Sequence, residues 1–259
     1  MGAQLKSETQ DQTLVLTLSN PSMRNALGPD IYSAGIEALG AAETNPAVRS
    51  VVITGEGGTF SAGGNLHRLL ANREQDPSVQ AESIEGLHTW METIRTYPKP
   101  VIAAVEGAAA GAGFSLALMC DFVVAARDSF FVMAYSNIAL SPDGGGSWNL
   151  ARSLPRPIAN EILMLGERIT AVRLHQLGWI NQLTNPGESL AQALQWAQRL
   201  NARAPNALTG IKDLLNNAAQ MPLSDHLAQE KSSFVTLLHH PNALTGINAL
   251  LHKQTPDYR

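Results

Sequence analysis

The sequence predicts an α/β fold that ends in a helical C-terminal region. Two observations predict it. Short β-branched or alternating apolar runs are separated by amphipathic helical stripes as far as about Pro186, and from Glu188 onward only helical periodicity remains. Short strands divided by helices favour a sheet built from crossover units. The first strand covers 13–18, where Leu14, Leu16 and Leu18 share a face, and Asn20-Pro21 ends it. Pro29 suits a first helical turn. The stripe Ile31, Ala34, Ala38, Leu39 and Ala42 follows, up to the stop at Asn45-Pro46. Residues 50–54 form a buried strand, and Asn65 can cap a helix entering at Leu66. A longer helix runs over 79–97, with Ile84, Leu87, Met91 and Ile94 on one face and Pro98 as its close. Strands are predicted at 101–105, 122–126, 130–134 and 179–183. Helices are predicted at 109–119, 148–152, 158–165 and 171–177. Pro205, Pro222 and Pro241 divide the helical tail.

Composition narrows the function. A chain of 259 residues with 44% hydrophobic content can bury a sizeable core. The division expected is 1–200 as the core and 201–259 as the helical region. The net charge of -4, with no basic stripe, argues against nucleic acid as a partner. Cys120 is the sole cysteine, so no disulfide can form within the chain, which fits a reducing, cytoplasmic setting. Residues 1–12 are polar and lack the apolar stretch of a signal peptide. The apolar run 101–119 is broken by Glu106, Ser115 and several glycines, so it reads as a buried strand and helix and not as a membrane span. The seven histidines form no spaced ligand set, so no metal is expected.

Two Gly-rich bends each follow a strand and precede a helix: Phe60-Ser61-Ala62-Gly63-Gly64-Asn65-Leu66, and Gly107 through Gly113. Small residues allow close backbone approach, and N–H groups at a helix start carry positive partial charge. Two such donors aimed at one oxygen would stabilise an enolate, whereas the plainer alternative is a pair of tight packing turns. Two other readings compete. Gly113-Phe114-Ser115 is nearly a serine-hydrolase elbow, but its last glycine is missing and Ser115 falls inside the helix. Gly107, Gly111 and Gly113 imitate a dinucleotide fingerprint, but with the wrong spacing.

The string Phe60–Leu66 resembles the first oxyanion-hole motif of the enoyl-CoA hydratase/isomerase (crotonase) family. The stretch from Lys99 to Asp121 resembles its second. Met23-Arg24-Asn25-Ala26-Leu27 is similar to the family's N-terminal CoA-contacting turn, and Glu161–Gly166 with 171–181 to a later helical signature. The resemblance implies a spiral of strand-strand-helix units and a homotrimer or dimer of trimers. The C-terminal region would serve oligomerisation and cover the site. The substrate implied is an acyl-CoA, with coenzyme A as part of it and no permanently bound cofactor. It further implies that the N–H groups of Ala62 and Ala112 bind the thioester carbonyl oxygen. Met23, Arg24, Ala26, Gly63, Gly64, Asn65 and Leu66 would line the substrate, and Phe234 and Lys253 would lie near the adenosine end of CoA.

The family's hydratases carry two glutamates, and this sequence has Ser115 and Tyr135 at the matching places. Neither replaces a carboxylate base at neutral pH. Asp143, in Ser141-Pro142-Asp143-Gly144-Gly145-Gly146, is the remaining acid. By itself it reads as a turn aspartate bonding its own backbone. Members of the family that isomerise ring or alkene substrates, dehalogenate, or close or open rings often carry an aspartate in this turn. The resemblance therefore makes Asp143 the base or nucleophile, with Tyr135 and Ser115 orienting water or substrate. It implies isomerisation, hydration or ring-opening hydrolysis of an unsaturated or cyclic acyl-CoA, as in aromatic-acid degradation. A CoA-binding relative without catalysis is the alternative.

Overall fold

The computed structural model describes residues 3–258. Strands β1 (Gln4–Gln10) and β2 (Thr13–Ser19) form an antiparallel hairpin. Helix α1 (Pro29–Glu43) crosses to β3 (Ser50–Gly55), and α2 (Leu66–Arg73) and α3 (Pro77–Thr96) lead to β4 (Val101–Val105). The chain continues through β5 (Ala108–Ala110), α4 (Ala112–Met119), β6 (Phe122–Ala126), β7 (Phe130–Val132), α5 (Gly146–Ser153) and α6 (Arg156–Asn160). A π-helical turn over Glu161–Leu165 precedes β8 (Ile169–Thr170), α7 (Ala171–Gln176) and β9 (Gln182–Thr184). Helices α8 (Ser189–Asn201), α9 (Pro205–Ala218), α10 (Leu223–Leu238) and α11 (Pro241–Leu251) complete it.

The larger sheet has the order β1-β2-β3-β4-β6-β9 and is parallel beyond its first hairpin; the smaller has the order β5-β7-β8. The pairs β4–β5 and β6–β7 each send one strand to either sheet before the next helix. That is the strand-strand-helix spiral expected. Because side chains alternate along a strand, each face of the larger sheet gathers its own core. Leu14, Leu16, Val51, Ile53, Val101 and Ala103 pack on one side with α1 and α3. Val52, Ile102, Ala104 and Val124 pack on the other, against Ala193 and Ala197 of α8.

Several elements differ from the sequence reading. Residues 109–111 are not helical: Ala108–Ala110 pairs with β7, and α4 begins only at Ala112. Three alanines favour a helix, but pairing with β7 overrides that preference. Strand β1 escaped notice because it is an exposed, polar edge strand without apolar alternation. Pro205 and Pro241, read as stops, occupy first-turn positions of α9 and α11, where their missing N–H costs nothing.

Helix α9 is tied to the core by a charge. Lys212, 8% exposed, bonds Asp121 Oδ2 at 2.8 Å and donates to the Ile94 carbonyl at 3.1 Å. The same Asp121 oxygen accepts from Val101 N at 2.8 Å. Burial pushes the Asp121 carboxyl above its ordinary range, and Lys212 opposes that shift. Removing Lys212 raises it further. A raised folded-state carboxyl contributes stability at low pH that is lost as pH rises through its titration. Lys212→Met is therefore expected to cost about 3–5 kcal/mol at neutral pH. Part of that loss should return on acidification, measured by urea unfolding at both pH values.

Candidate active site

The two Gly-rich bends are bonded to each other. Ser61 N donates to the Ala108 carbonyl at 3.0 Å, and Ala110 N donates to the Ser61 carbonyl at 2.9 Å. Gly63 has φ +81, and a Cβ there would lie 2.4 Å from the Ala110 carbonyl oxygen and 3.2 Å from Ala112 N. Only glycine lets the first bend approach the start of α4 this closely.

The segment before α1 holds the first bend from the other side. Asn25 is 1% exposed with φ 57, and its Nδ2 donates to the carbonyls of Glu56 at 2.8 Å and Thr59 at 2.6 Å. Its own carbonyl accepts from Ser61 Oγ at 2.8 Å. Leu27 N donates to the Gly63 carbonyl at 2.7 Å, and Ala62 N donates to the Arg24 carbonyl at 2.9 Å. The last bond corrects an expectation. The Ala62 N–H is held inside the protein and is not offered to an oxyanion. Gly63 N is likewise engaged, by Ser61 Oγ at 3.1 Å. The Gly64 N–H has no acceptor among the described residues. Asn65 caps α2 as expected, accepting from His67 N at 2.9 Å and Arg68 N at 3.2 Å. Ala112 stands at the first position of α4, where an N–H has no partner within the helix. Gly64 and Ala112 are thus among the uncommitted main-chain donors of the two bends.

Asp143 faces the same region. Its Oδ1 accepts from the Tyr135 hydroxyl at 2.6 Å, and its carbonyl accepts from Ser115 Oγ at 3.1 Å. Gly144, at φ +58, lets the turn close over α4: a Cβ there would lie 3.2 Å from Ser115 Cβ. The Tyr135 hydroxyl lies 3.5 Å from where a Cβ of Gly111 would be, so the phenol reaches from Asp143 to the start of α4. Burial first, and the Asp143 charge second, push the Tyr135 phenol well above its ordinary range, so it keeps its proton and donates.

The chain from 8 to 259 matches the family model for enoyl-CoA hydratase/isomerase. The chain belongs to the enoyl-CoA hydratase/isomerase family. It is 34% identical over 250 residues to the 2,3-dehydroadipyl-CoA hydratase of Escherichia coli K12, covering 96% of each chain. It is 33% identical over 258 residues to the 1,2-epoxyphenylacetyl-CoA isomerase of the same organism, covering 97% of each. Among solved structures, the enoyl-CoA hydratase from Polaromonas sp. JS666 superposes with a TM-score of 0.98 at 66% identity, over 98% of this chain and 99% of that one. The crotonase fold expected from the sequence is thereby shown.

Within this hydratase/isomerase the remaining expected site residues are distributed unevenly. Met23, Arg24 and Leu66 are exposed beside the first bend, while Ala26 is buried. Ser115 is fully buried in α4, which corrects its assignment to substrate contact. Its hydroxyl supports the Asp143 turn and is no nucleophile at a strand-to-helix tip. Phe234 is 69% exposed and lines a groove of about 430 Å³ with Leu237, Ile247 and Tyr258, while Lys253 is exposed just beyond α11. Helix α10, which carries Phe234, packs mainly against α9 and α11. Two structural supports were not assigned from sequence: Asn25, whose left-handed backbone suits asparagine, and Arg68, whose Nη2 donates to the Leu27 carbonyl at 3.1 Å.

Proposed function

We propose that this enzyme binds an unsaturated or cyclic acyl-CoA with its thioester carbonyl between the Gly64 and Ala112 N–H groups, and that Asp143 moves a proton. The observation that carries the reading is the Asp143–Tyr135 pair at 2.6 Å, set beside the free N-terminus of α4. Polarising the carbonyl acidifies the adjacent carbon. The enolate that forms places charge on the oxygen, where two fixed donors strengthen their bonds at no cost of reorganisation. A single carboxylate can carry a proton from one carbon to another. It can also activate water for addition to the alkene or attack on a strained ring. Isomerisation, hydration and ring-opening hydrolysis share this first stage. The names of the relatives, a hydratase and an epoxyphenylacetyl-CoA isomerase, support a reaction of this group and aromatic-acid degradation as its setting.

On this reading the exposed apolar residues of α9, α10 and α11, among them Leu215, Leu227 and Leu250, face other copies in a homotrimer or dimer of trimers in the cytoplasm. No helix of the described residues is long and apolar enough to cross a membrane. The test is mass spectrometry after incubation with enoyl-CoA, epoxide-CoA and ring-derived CoA thioesters. Conversion of one of them supports the reading, and no conversion of any opposes it. Once a substrate is known, Tyr135→Phe is expected to lower kcat about tenfold. A hydrogen bond to a charged group contributes about 1.5–3 kcal/mol, and each 1.4 kcal/mol is a factor of ten.

A further inference from the structure

Ser61 lies where the two bends meet, and its hydroxyl takes no part in the chemistry proposed above. The residue is fully buried. Its main chain binds the second bend, through the Ala108 carbonyl at 3.0 Å and Ala110 N at 2.9 Å. Its Oγ donates to the Asn25 carbonyl at 2.8 Å and accepts from Gly63 N at 3.1 Å. A carbonyl can only accept and an amide N–H can only donate, so these two partners fix the orientation of the hydroxyl. Helix α4 closes on it from the other side: a Cβ on Gly113 would lie 2.7 Å from Ser61 Cβ and 2.9 Å from its Oγ.

The hydroxyl bears on the Gly64 donor through one planar peptide. Gly63 is gripped at both ends. Its N–H goes to Ser61 Oγ, and its carbonyl accepts from Leu27 N at 2.7 Å. The Gly63 carbonyl and the Gly64 N–H belong to the same trans peptide and point in opposite directions. The Gly64 N–H is therefore aimed away from Leu27. Gly63, at φ +81, has no side chain to restrict its rotation, so its two hydrogen bonds set that aim. The bond to Leu27 is main chain on both sides, and only the other depends on a side chain. Gly63 also lies against the second donor, since a Cβ on it would be 3.2 Å from Ala112 N. Turning Gly63 changes the direction of the first donor and its relation to the second together.

We infer that Ser61 is a positioning residue: by holding the Gly63 N–H, its hydroxyl leaves Gly64 as the amide offered to the thioester carbonyl and fixes its aim. This rests on the reading that the Gly64 and Ala112 amides bind that carbonyl. Without the hydroxyl, the Gly63 N–H becomes a buried donor with no acceptor and the Asn25 carbonyl loses its partner. Gly63 is then free to turn toward another acceptor. The stabilisation of an oxyanion depends on donors that are already in place, and that preorganisation is lost.

The test uses butyryl-CoA labelled with ¹³C at the thioester carbonyl and bound to the whole enzyme. The ¹³C resonance reports how strongly the C=O is polarised, and titration calorimetry reports affinity. On the unaltered enzyme the resonance is expected downfield of its position in water. In Ser61→Ala, which deletes one atom and adds none, at least half of that shift should vanish while affinity changes little. Ser61→Cys, whose thiol is a weaker donor and acceptor, should give an intermediate shift. Thermal unfolding follows the fold in each variant. A merely structural role would lower the unfolding temperature and leave the bound resonance where it is, and that result in folded Ser61→Ala would overturn the inference. Should Ser61→Ala not fold, Gly113→Ala decides: it keeps the hydroxyl, but its new Cβ must displace it. An undiminished shift in that variant would overturn the inference as well. If only this inference is wrong, the unaltered enzyme still moves the resonance. If the resonance stays at its position in water even there, the reading of the two amides fails, and the role of Ser61 with it.

Discussion

Ala112→Pro is expected to lower kcat/KM by about 10²–10³-fold while the protein stays folded, the usual effect of removing one oxyanion donor. The substitution suits the place. Ala112 is the first residue of α4, where proline is well accommodated because its missing N–H has no helical partner anyway. The preceding Gly111 has φ 50 and ψ -122, outside the right-handed helical region that proline disfavours in its predecessor. What disappears is the donor, and the ring carbon that replaces the hydrogen also crowds the carbonyl site. The loss should fall on kcat more than on affinity for a saturated thioester, since enolate charge is greatest in the transition state. Steady-state kinetics with thermal unfolding as a control measures both. Full turnover in a folded variant would remove Ala112 from the chemistry.

Asp143→Asn is expected to lower kcat by about 10²–10⁴-fold with KM changed little, the range for loss of a positioned acid or base. Asparagine keeps the shape of the side chain and an oxygen for the Tyr135 hydroxyl, which now donates to it at 2.6 Å. The Ser115 bond to the Asp143 carbonyl involves main chain and should survive. The turn therefore stays in place and only the proton acceptor is lost. Deuterium uptake from D2O at the carbon next to the thioester carbonyl gives a second readout. The variant should abolish it, and Ala112→Pro should slow it. Unchanged turnover in Asp143→Asn would shift the base elsewhere.

Much of this molecule was legible in its sequence. Strands at 101–105 and 122–126 were read to the residue, because β-branched runs bounded by turn signals leave few alternatives. The Asn65 cap was equally plain. Other features depend on tertiary pairing. Ala108–Ala110 reads as helix until β7 and Ser61 bond to it. The sequence reading put the first proposed donor at Ala62, two residues before Gly64, for a related reason. A string of small residues does not reveal which N–H is already committed, and only the Arg24 carbonyl shows that Ala62 is and Gly64 is not. Ser115 was read as a substrate contact because it stands where a glutamate does in hydratases, and its full burial makes it a support for the turn. Arg68 gave no signal at all, since a lone arginine on an amphipathic helix is ordinarily a solvated surface charge.

The central claim is that the Gly64 and Ala112 amides converge on one carbonyl oxygen. Infrared difference spectroscopy of a saturated acyl-CoA carrying a ¹³C-labelled thioester carbonyl reports on it directly. On the unaltered enzyme the labelled C=O stretch is expected to move to lower frequency than in water, and in Ala112→Pro most of that shift should vanish. A bound thioester whose carbonyl band stays where it lies in water would contradict the account.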